Sequence, residues 1–383
     1  MPELLFLLLP VAALYGYVMG RNSFRQQQLK QHEKINQNFL SGLNLFLNNQ
    51  RDKAIEVLIE NLEVDNETFT THIALGKLFR AKGENDRAIK IHQFLAKQDT
   101  LSPKQRKTAI LQLAYDFVES ALFDRAEALL LPLTEDEEFS YETRIVLCRI
   151  YQTYRDWQKA YDIISELTCQ EGDDLNNIRA YLLCELAEKA ENKEIAESLL
   201  IKALNYDNSC ARAYLELIEI KLSTEQLDKA QAYASSLAQY CQGYVPLLIK
   251  KVSIIFPELD ARLAFLKSIK NTQTSSVVAA QIAQIQSEMG DTRTSRKTLI
   301  SELEKNATIQ GFANLLAHDA EQIESSEAKQ KMQNLKQMVI TKITQLPDYE
   351  CGNCGYQGSY LFWQCPRCKQ WGSVEPIKGL TGD

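Results

Sequence analysis

Four of the cysteines crowd together near the C-terminus, in the string YECGNCGYQGSYLFWQCPRCKQWGS. Cys351 and Cys354 form one C-x2-C pair and Cys365 and Cys368 a second, with ten residues between the pairs. Each pair reads as a knuckle, a tight turn that presents two thiolates to one ion. Four thiolates around a tetrahedral centre suit one Zn²⁺ or Fe ion, and the spacing does not separate the two metals. Gly352, Gly355 and Pro366 relax the backbone where its N–H groups must point at the sulfurs. The competing reading is a disulfide framework, which needs an oxidising compartment. A segment of about 35 residues cannot stabilise a core by itself, so the metal is expected to be required for its folding.

Little else in the chain has the residue types and spacing for chemistry. No Walker-type phosphate loop, dinucleotide fingerprint or G-x-S-x-G elbow occurs. The nearest zinc-protease string, His32-Glu33-Lys34-Ile35-Asn36, lacks the second histidine. His32, His72, His92 and His318 are scattered over predicted helices and read as surface or packing residues. Cys148, Cys169, Cys184, Cys210 and Cys241 form no second metal pattern and read as core packing or ordinary thiols. The expectation is therefore a protein without enzymatic activity. Net charge is −7 and the isoelectric point about 5.4. Nucleic acid is not an expected partner, because an electrostatic binder needs a basic face.

The bulk of the chain before the knuckles reads as helices. The chain has 383 residues, 45% of them apolar and 24% charged, with only 15 Gly and 9 Pro. So few turn formers favour long helices over many short strands. A repeat can be counted directly. The interval from Gly42 to Ala54 equals that from Gly76 to Ala88, and the second pair follows the first at a step of 34. The same phrase returns around Ala126, Ala160, Ala196 and Ala230, at steps of 38, 34, 36 and 34. One such interval before each stand Ala114, Cys148, Cys184 and Ile218. Weaker copies are expected near Ala264 and Ser295. A small residue on each helix of a pair lets the two approach closely, and stacked pairs bury the face that one pair leaves open.

This pattern resembles the tetratricopeptide repeat family over roughly residues 36–310, although Ile218 is large for its position. The resemblance implies an all-α, right-handed solenoid that binds proteins along its concave face. Counted from the small positions, the candidate partner-binding residues are Lys77, Arg80, Tyr115, Arg149 and Gln152, with plain solvated side chains as the alternative reading. Phe39, Leu43 and Phe46 form an apolar surface on the first copy. A homodimer contact, packing near the membrane, or capping by another helix all fit it. The cysteine knuckles, with Tyr349, Tyr356, Trp363 and Trp371, resemble the rubredoxin-like and zinc-ribbon families.

From Leu4 to Gly20 runs a stretch without a charge, LLFLLLPVAALYGYVMG, with Glu3 before it and Arg21 and Arg25 after it. It is just long enough to span a bilayer as a helix. A cleaved signal peptide wants the opposite charge order, and a buried core helix wants an amphipathic face. The stretch is expected to be an uncleaved transmembrane helix. Arg21, Arg25, Lys30 and Lys34 then place everything after it in the cytoplasm. The domain reading is an anchor at 1–20, a juxtamembrane linker at 21–35, the solenoid at 36–346 and the four-cysteine module at 347–383.

That order of parts, with PELLFLLLPVAALYGYVMGR at the start and CPRCKQWGS near the end, closely resembles the lipopolysaccharide assembly protein B family. The resemblance implies a single-pass protein of the bacterial inner membrane that regulates lipopolysaccharide synthesis. It implies an adaptor that brings the committed-step lipid A deacetylase to a membrane AAA+ protease, with other lipopolysaccharide assembly or regulatory membrane proteins as partners. Two alternatives remain from the residues themselves. One is an iron-dependent, rubredoxin-type electron-transfer module on a docking scaffold; the other is a general envelope-assembly scaffold without a proteolytic role.

Overall fold

A computed structural model describes Met19 and residues 68–169, 172–272 and 275–382. The expected anchor, linker and first repeat copy, together with Phe39, Leu43 and Phe46, lie outside the described residues. No helix among the described residues is long and apolar enough to cross a membrane. The chain divides between Tyr154 and Arg155 into two compact units.

The first unit contains α1 (Phe69–Ala81), α2 (Asn85–Ala96), α3 (Pro103–Glu119), α4 (Phe123–Leu130) and α5 (Ser140–Tyr154), with a 3-10 turn at Leu131–Leu133. Consecutive helices pack as hairpins. Helix α3 starts cleanly because Ser102 and Gln105 form a reciprocal capping box and Pro103 occupies the first turn. At the seam of the first hairpin the small residue has a specific cause. A Cβ on Gly76 would lie 2.3 Å from His92 Nε2, and the imidazole is fully buried. The ring cannot retreat, because His92 Nδ1 lies 2.5 Å from Asp116 Oδ2 while Arg80 donates to Asp116 Oδ1 at 2.7 Å. Glycine at position 76 is thus the complement of a buried histidine on the neighbouring helix.

The second unit begins with α6 (Trp157–Ser165), α7 (Leu175–Glu188), α8 (Lys193–Tyr206), α9 (Ala211–Ser223) and α10 (Leu227–Tyr240). After a 3-10 turn at Gln242–Tyr244 come α11 (Val245–Ile249), α12 (Val252–Ile255), α13 (Leu259–Thr272), α14 (Ser276–Glu288), α15 (Thr292–Lys305), α16 (Ile309–Glu321) and α17 (Ser326–Ile343). The counted repeat alanines are the seam residues: Ala88, Ala126, Ala160 and Ala230 are fully buried and Ala196 is 9% exposed. Ile218, large as it is, is accommodated at 1% exposure.

The two weaker copies part ways. Ser295 is fully buried and its hydroxyl donates at 2.7 Å to the carbonyl of Ala283, which precedes it by the repeat interval, so that copy keeps the pattern. The copy expected near Ala264 is not built that way. Ala264 is exposed, while Phe265, Leu266 and Ile269 are buried. The reason lies in its partner. The would-be first helix is split into α11 and α12 and stopped at Phe256-Pro257, so α13 packs by a different face.

The hairpin turns impose a second constraint. Gly83, Ala121, Glu225 and Gly290, turns within a unit, all have φ between 54° and 85°, and each stands five residues before a repeat small residue. Left-handed backbone there reverses the chain tightly. Gly83 and Gly290 adopt it without strain, whereas a side chain costs about 1 kcal/mol. Two substitutions in the first unit should therefore move stability in opposite directions. Gly76→Ala should lose about 2 kcal/mol by overpacking His92. Ala121→Gly should gain about 0.5 kcal/mol. Urea unfolding of the full chain reads both.

Candidate metal centre

The four-cysteine segment folds as a three-stranded antiparallel sheet in the order β2-β1-β3, with β1 at Tyr349–Cys351, β2 at Gln357–Gly358 and β3 at Val374–Pro376. Glu350 pairs with Gln357 on one side and with Glu375 on the other. Pro376, which has no N–H to give, lies on an edge strand. The two knuckles repeat one local geometry. Gly355 N donates to Cys351 O and Lys369 N donates to Cys365 O, each at 2.9 Å, and both donors have positive φ, 67° and 61°. The first knuckle uses glycine for that turn and the second uses lysine.

The sulfurs of Cys351, Cys354, Cys365 and Cys368 all lie within 4.8 Å of one another. Cys351 and Cys368 are 3.7 Å apart, and Cys354 and Cys365 are 3.6 Å apart. A tetrahedron with metal–sulfur bonds of about 2.3 Å has edges of about 3.8 Å, so the donor set fits Zn²⁺ or Fe and does not choose between them. Cys351 and Cys365 are buried, Cys354 and Cys368 half-buried. Burial pushes the Cys351 thiol up, but hydrogen bonds with Ser373 and from the Cys354 and Asn353 N–H groups prevail and bring it to about 6. Cys354 goes the other way, to about 12, through desolvation and the crowding of the other three sulfurs. Burial also works against the Cys368 thiolate, but hydrogen bonds with Asn353 and from the Gln370 N–H hold that thiol below its ordinary range, so two thiolates form readily and repel each other, the condition that a cation relieves.

No second cluster of metal-ligand type occurs among the described residues. Cys184 and Cys210, both fully buried, have sulfurs 3.8 Å apart, and Cys241 donates to the Ser209 carbonyl. Burial raises the Cys148 thiol to about 11 and the Cys241 thiol to about 12, so both pack as neutral groups.

The module is docked against the helices of its own unit by aromatic rings. Trp371 stacks on Tyr181 of α7, centroids 5.4 Å apart and planes 18° apart, and meets Trp157 of α6 edge-on at 6.2 Å. Trp363 leans on Tyr181 at 6.2 Å and on Tyr244 at 5.7 Å. The Tyr244 hydroxyl reaches the carbonyls of Gly372 and Val374, each at 3.0 Å. Burial holds the Tyr181 and Tyr244 phenols well above their ordinary range, so both remain neutral donors. Gln370 donates to Asp174 at 3.1 Å, and Ile309 N donates to the Leu380 carbonyl at 2.9 Å. Gly372 permits the approach. Its φ is 62°, and a Cβ there would lie 2.6 Å from the Tyr181 hydroxyl and 2.9 Å from Tyr181 Cε2. Beside the docked Trp363, a cavity of about 660 Å³ is lined by Glu185, Glu188, Glu216, Glu219 and Arg212. Arg212 is buried there against Glu185, Glu188 and Glu216 at 2.5, 2.7 and 2.6 Å.

The five groove candidates, all in the first unit, do not form one free surface. Arg80 is held by Asp116 and Gln112, and its guanidinium lies 5.3 Å from the Tyr115 ring centroid. Tyr115 donates to Glu142 at 2.7 Å, and Gln152 donates to Cys148 Sγ at 3.1 Å. Lys77 and Arg149 are exposed. The residues that sequence reasoning missed are Trp157, Tyr181, Tyr244 and Gly372. Nothing in their spacing marks them, since each matters only through a ring or backbone that arrives from far along the chain.

Helix-hairpin repeats bearing a docked four-cysteine ribbon define a repeat scaffold with an integral metal-binding module. A family model described as a rubredoxin metal-binding domain matches residues 349–376. Over its whole length the chain is 31% identical to lipopolysaccharide assembly protein B of Escherichia coli K12, the match covering 100% of both chains. The protein of the same name from Haemophilus influenzae is 32% identical, covering 98% of each. The chain belongs to the lipopolysaccharide assembly protein B family. Among solved structures, a tetratricopeptide repeat protein from Parabacteroides merdae matches 71% of this chain and 100% of its own at 11% identity, with a TM-score of 0.36.

Tyr181→Leu should separate docking from metal binding, since it removes the ring on which Trp371 stacks and leaves the module's own turns untouched. The variant is expected to retain metal at the parent ratio while protease releases a fragment containing residues 349–376. A module that stays protected would show that the contact of Trp371 with Tyr181 is dispensable.

Proposed function

We propose that this protein is a membrane-anchored adaptor that regulates lipopolysaccharide synthesis. In this reading it brings the deacetylase that commits precursors to lipid A to a membrane AAA+ protease. The observation that carries the reading is the full-length match, from first residue to last, to proteins named for lipopolysaccharide assembly. The repeats support it, because helix-hairpin arrays present extended surfaces to protein partners. Residues 1–20 act as the single inner-membrane span, residues 21–35 as the linker, and the remainder faces the cytoplasm. A tethered scaffold raises the encounter rate of substrate and protease in the same membrane without any chemistry of its own.

Metal bound by Cys351, Cys354, Cys365 and Cys368 has a structural role in this reading. It holds the module in the shape that Tyr181 and Tyr244 receive, and so fixes the partner surface. In the first unit, taken by itself, Lys77 and Arg149 remain candidate contacts, being exposed, whereas Arg80, Tyr115 and Gln152 are hydrogen-bonded to their neighbours.

In-cell crosslinking of the full-length protein, with mass spectrometry of what it captures, tests the proposal. Recovery of both a membrane AAA+ protease and the lipid A pathway deacetylase is expected, and Cys351→Ser should lose both along with the metal. Recovery of envelope-assembly proteins alone would favour the plain scaffold. A redox enzyme as main partner, with the visible absorption of a ferric tetrathiolate, would favour electron transfer.

A further inference from the structure

The last helix, α17, ends the helical array with a face that a terminal element does not ordinarily show. End repeats normally turn a polar outer face to solvent. None of the residues of α17 is buried, although it packs along α16. Met332, Val339, Ile340 and Ile343 are half-buried, and on the outer side Leu335 is 44% and Met338 69% exposed. Lys331, Leu335, Met338 and Lys342 recur at intervals of four, three and four, so they form one stripe on successive turns. Lys329 and Lys336 are half-buried on the packed side with Met332, Val339, Ile340 and Ile343, while Glu327, paired with Lys331 at 2.6 Å, is the helix's one acidic residue. The outer stripe therefore carries two lysines against one glutamate, a small positive excess in a chain whose net charge is −7.

We propose that the outer face of α17 docks on an anionic phospholipid surface, with Leu335 and Met338 entering the headgroup layer and the lysine ammonium groups meeting lipid phosphates. Long lysine stems lying beside exposed apolar side chains suit such an interface, where the charge stays in water and the methylenes do not. A second copy of this chain fits less well, because a twofold pairing of the helices would bring lysines onto lysines. Each lysine at an anionic surface strengthens binding roughly fivefold. So short a contact is weak alone and becomes persistent when the chain is tethered to the same bilayer. The inference takes its setting from the anchor proposed above, and its chemistry from α17 alone.

The test is hydroxyl-radical footprinting of Met338 by mass spectrometry, on the full chain in nanodiscs of phosphatidylcholine alone or of phosphatidylcholine mixed with phosphatidylglycerol. Oxidation should be about fivefold slower in the anionic discs, and the protection should vanish at high salt. It should also vanish in a Lys331→Gln/Lys342→Gln variant, whose exposed positions leave the fold intact. Equal oxidation in both discs overturns the proposal. Equal protection in both discs overturns its charge basis, and protection that rises with protein concentration in detergent assigns the face to a second copy instead. A chain that does not enter discs counts against the anchor. Met338 is then read on the chain added to a large excess of preformed vesicles of the same lipids, enough to saturate a weak untethered contact, where absence of protection on the anionic ones overturns the docking itself.

Discussion

The stacking of Trp371 on Tyr181 is the contact on which the second unit depends. One ring belongs to a knuckle turn built around four sulfurs, the other to a repeat helix far earlier in the chain. Their approach requires that Gly372 carry no side chain, that its backbone be left-handed, and that Tyr244 be protonated to donate to the module's carbonyls. Aromatic pairs of this kind contribute about 0.5–1.5 kcal/mol beyond the area they bury. The module's own core is little more than Cys351, Cys365 and Val374. A domain that small has no independent reserve of stability, so metal and docking surface supply what its core cannot.

Aromatic side chains on α6 and α7 are covered by the chain's own C-terminal segment, Trp157 and Tyr181 both meeting Trp371. The surface of the second unit there is composite, made of helix and four-cysteine ribbon together. Trp363 at the rim of the acidic cavity is one place where the two meet. Inside the first unit Asp116 joins Arg80 and His92, with the Arg80 guanidinium over the Tyr115 ring.

Much of this was legible in the sequence, for definite reasons. A regular recurrence of small residues reports helix pairs because close approach of two backbones favours small side chains, and Ala88, Ala126, Ala160 and Ala230 are all buried at those seams. Two C-x2-C pairs report a shared site because so short a spacing leaves the knuckle almost no other geometry. The copy near Ala264 was misjudged because alanine alone carries no phase, and the break at Phe256-Pro257 shifted the buried face. The groove residues were placed on faces without knowledge of their neighbours, and Asp116, Glu142 and Cys148 claimed three of the five. Tyr181 and Tyr244 were illegible, since an aromatic residue in a repeat looks the same whether it meets a core, a solvent or a ribbon.

Coupling between the metal and the repeat helices is measured most directly by hydrogen exchange of the full chain before and after metal is stripped by a chelator. The amides of α7, and those around Tyr244, should lose protection together with residues 349–376 when the metal leaves. Faster exchange confined to residues 349–376, with α7 unchanged, would contradict the coupling and reduce the ribbon to an appendage.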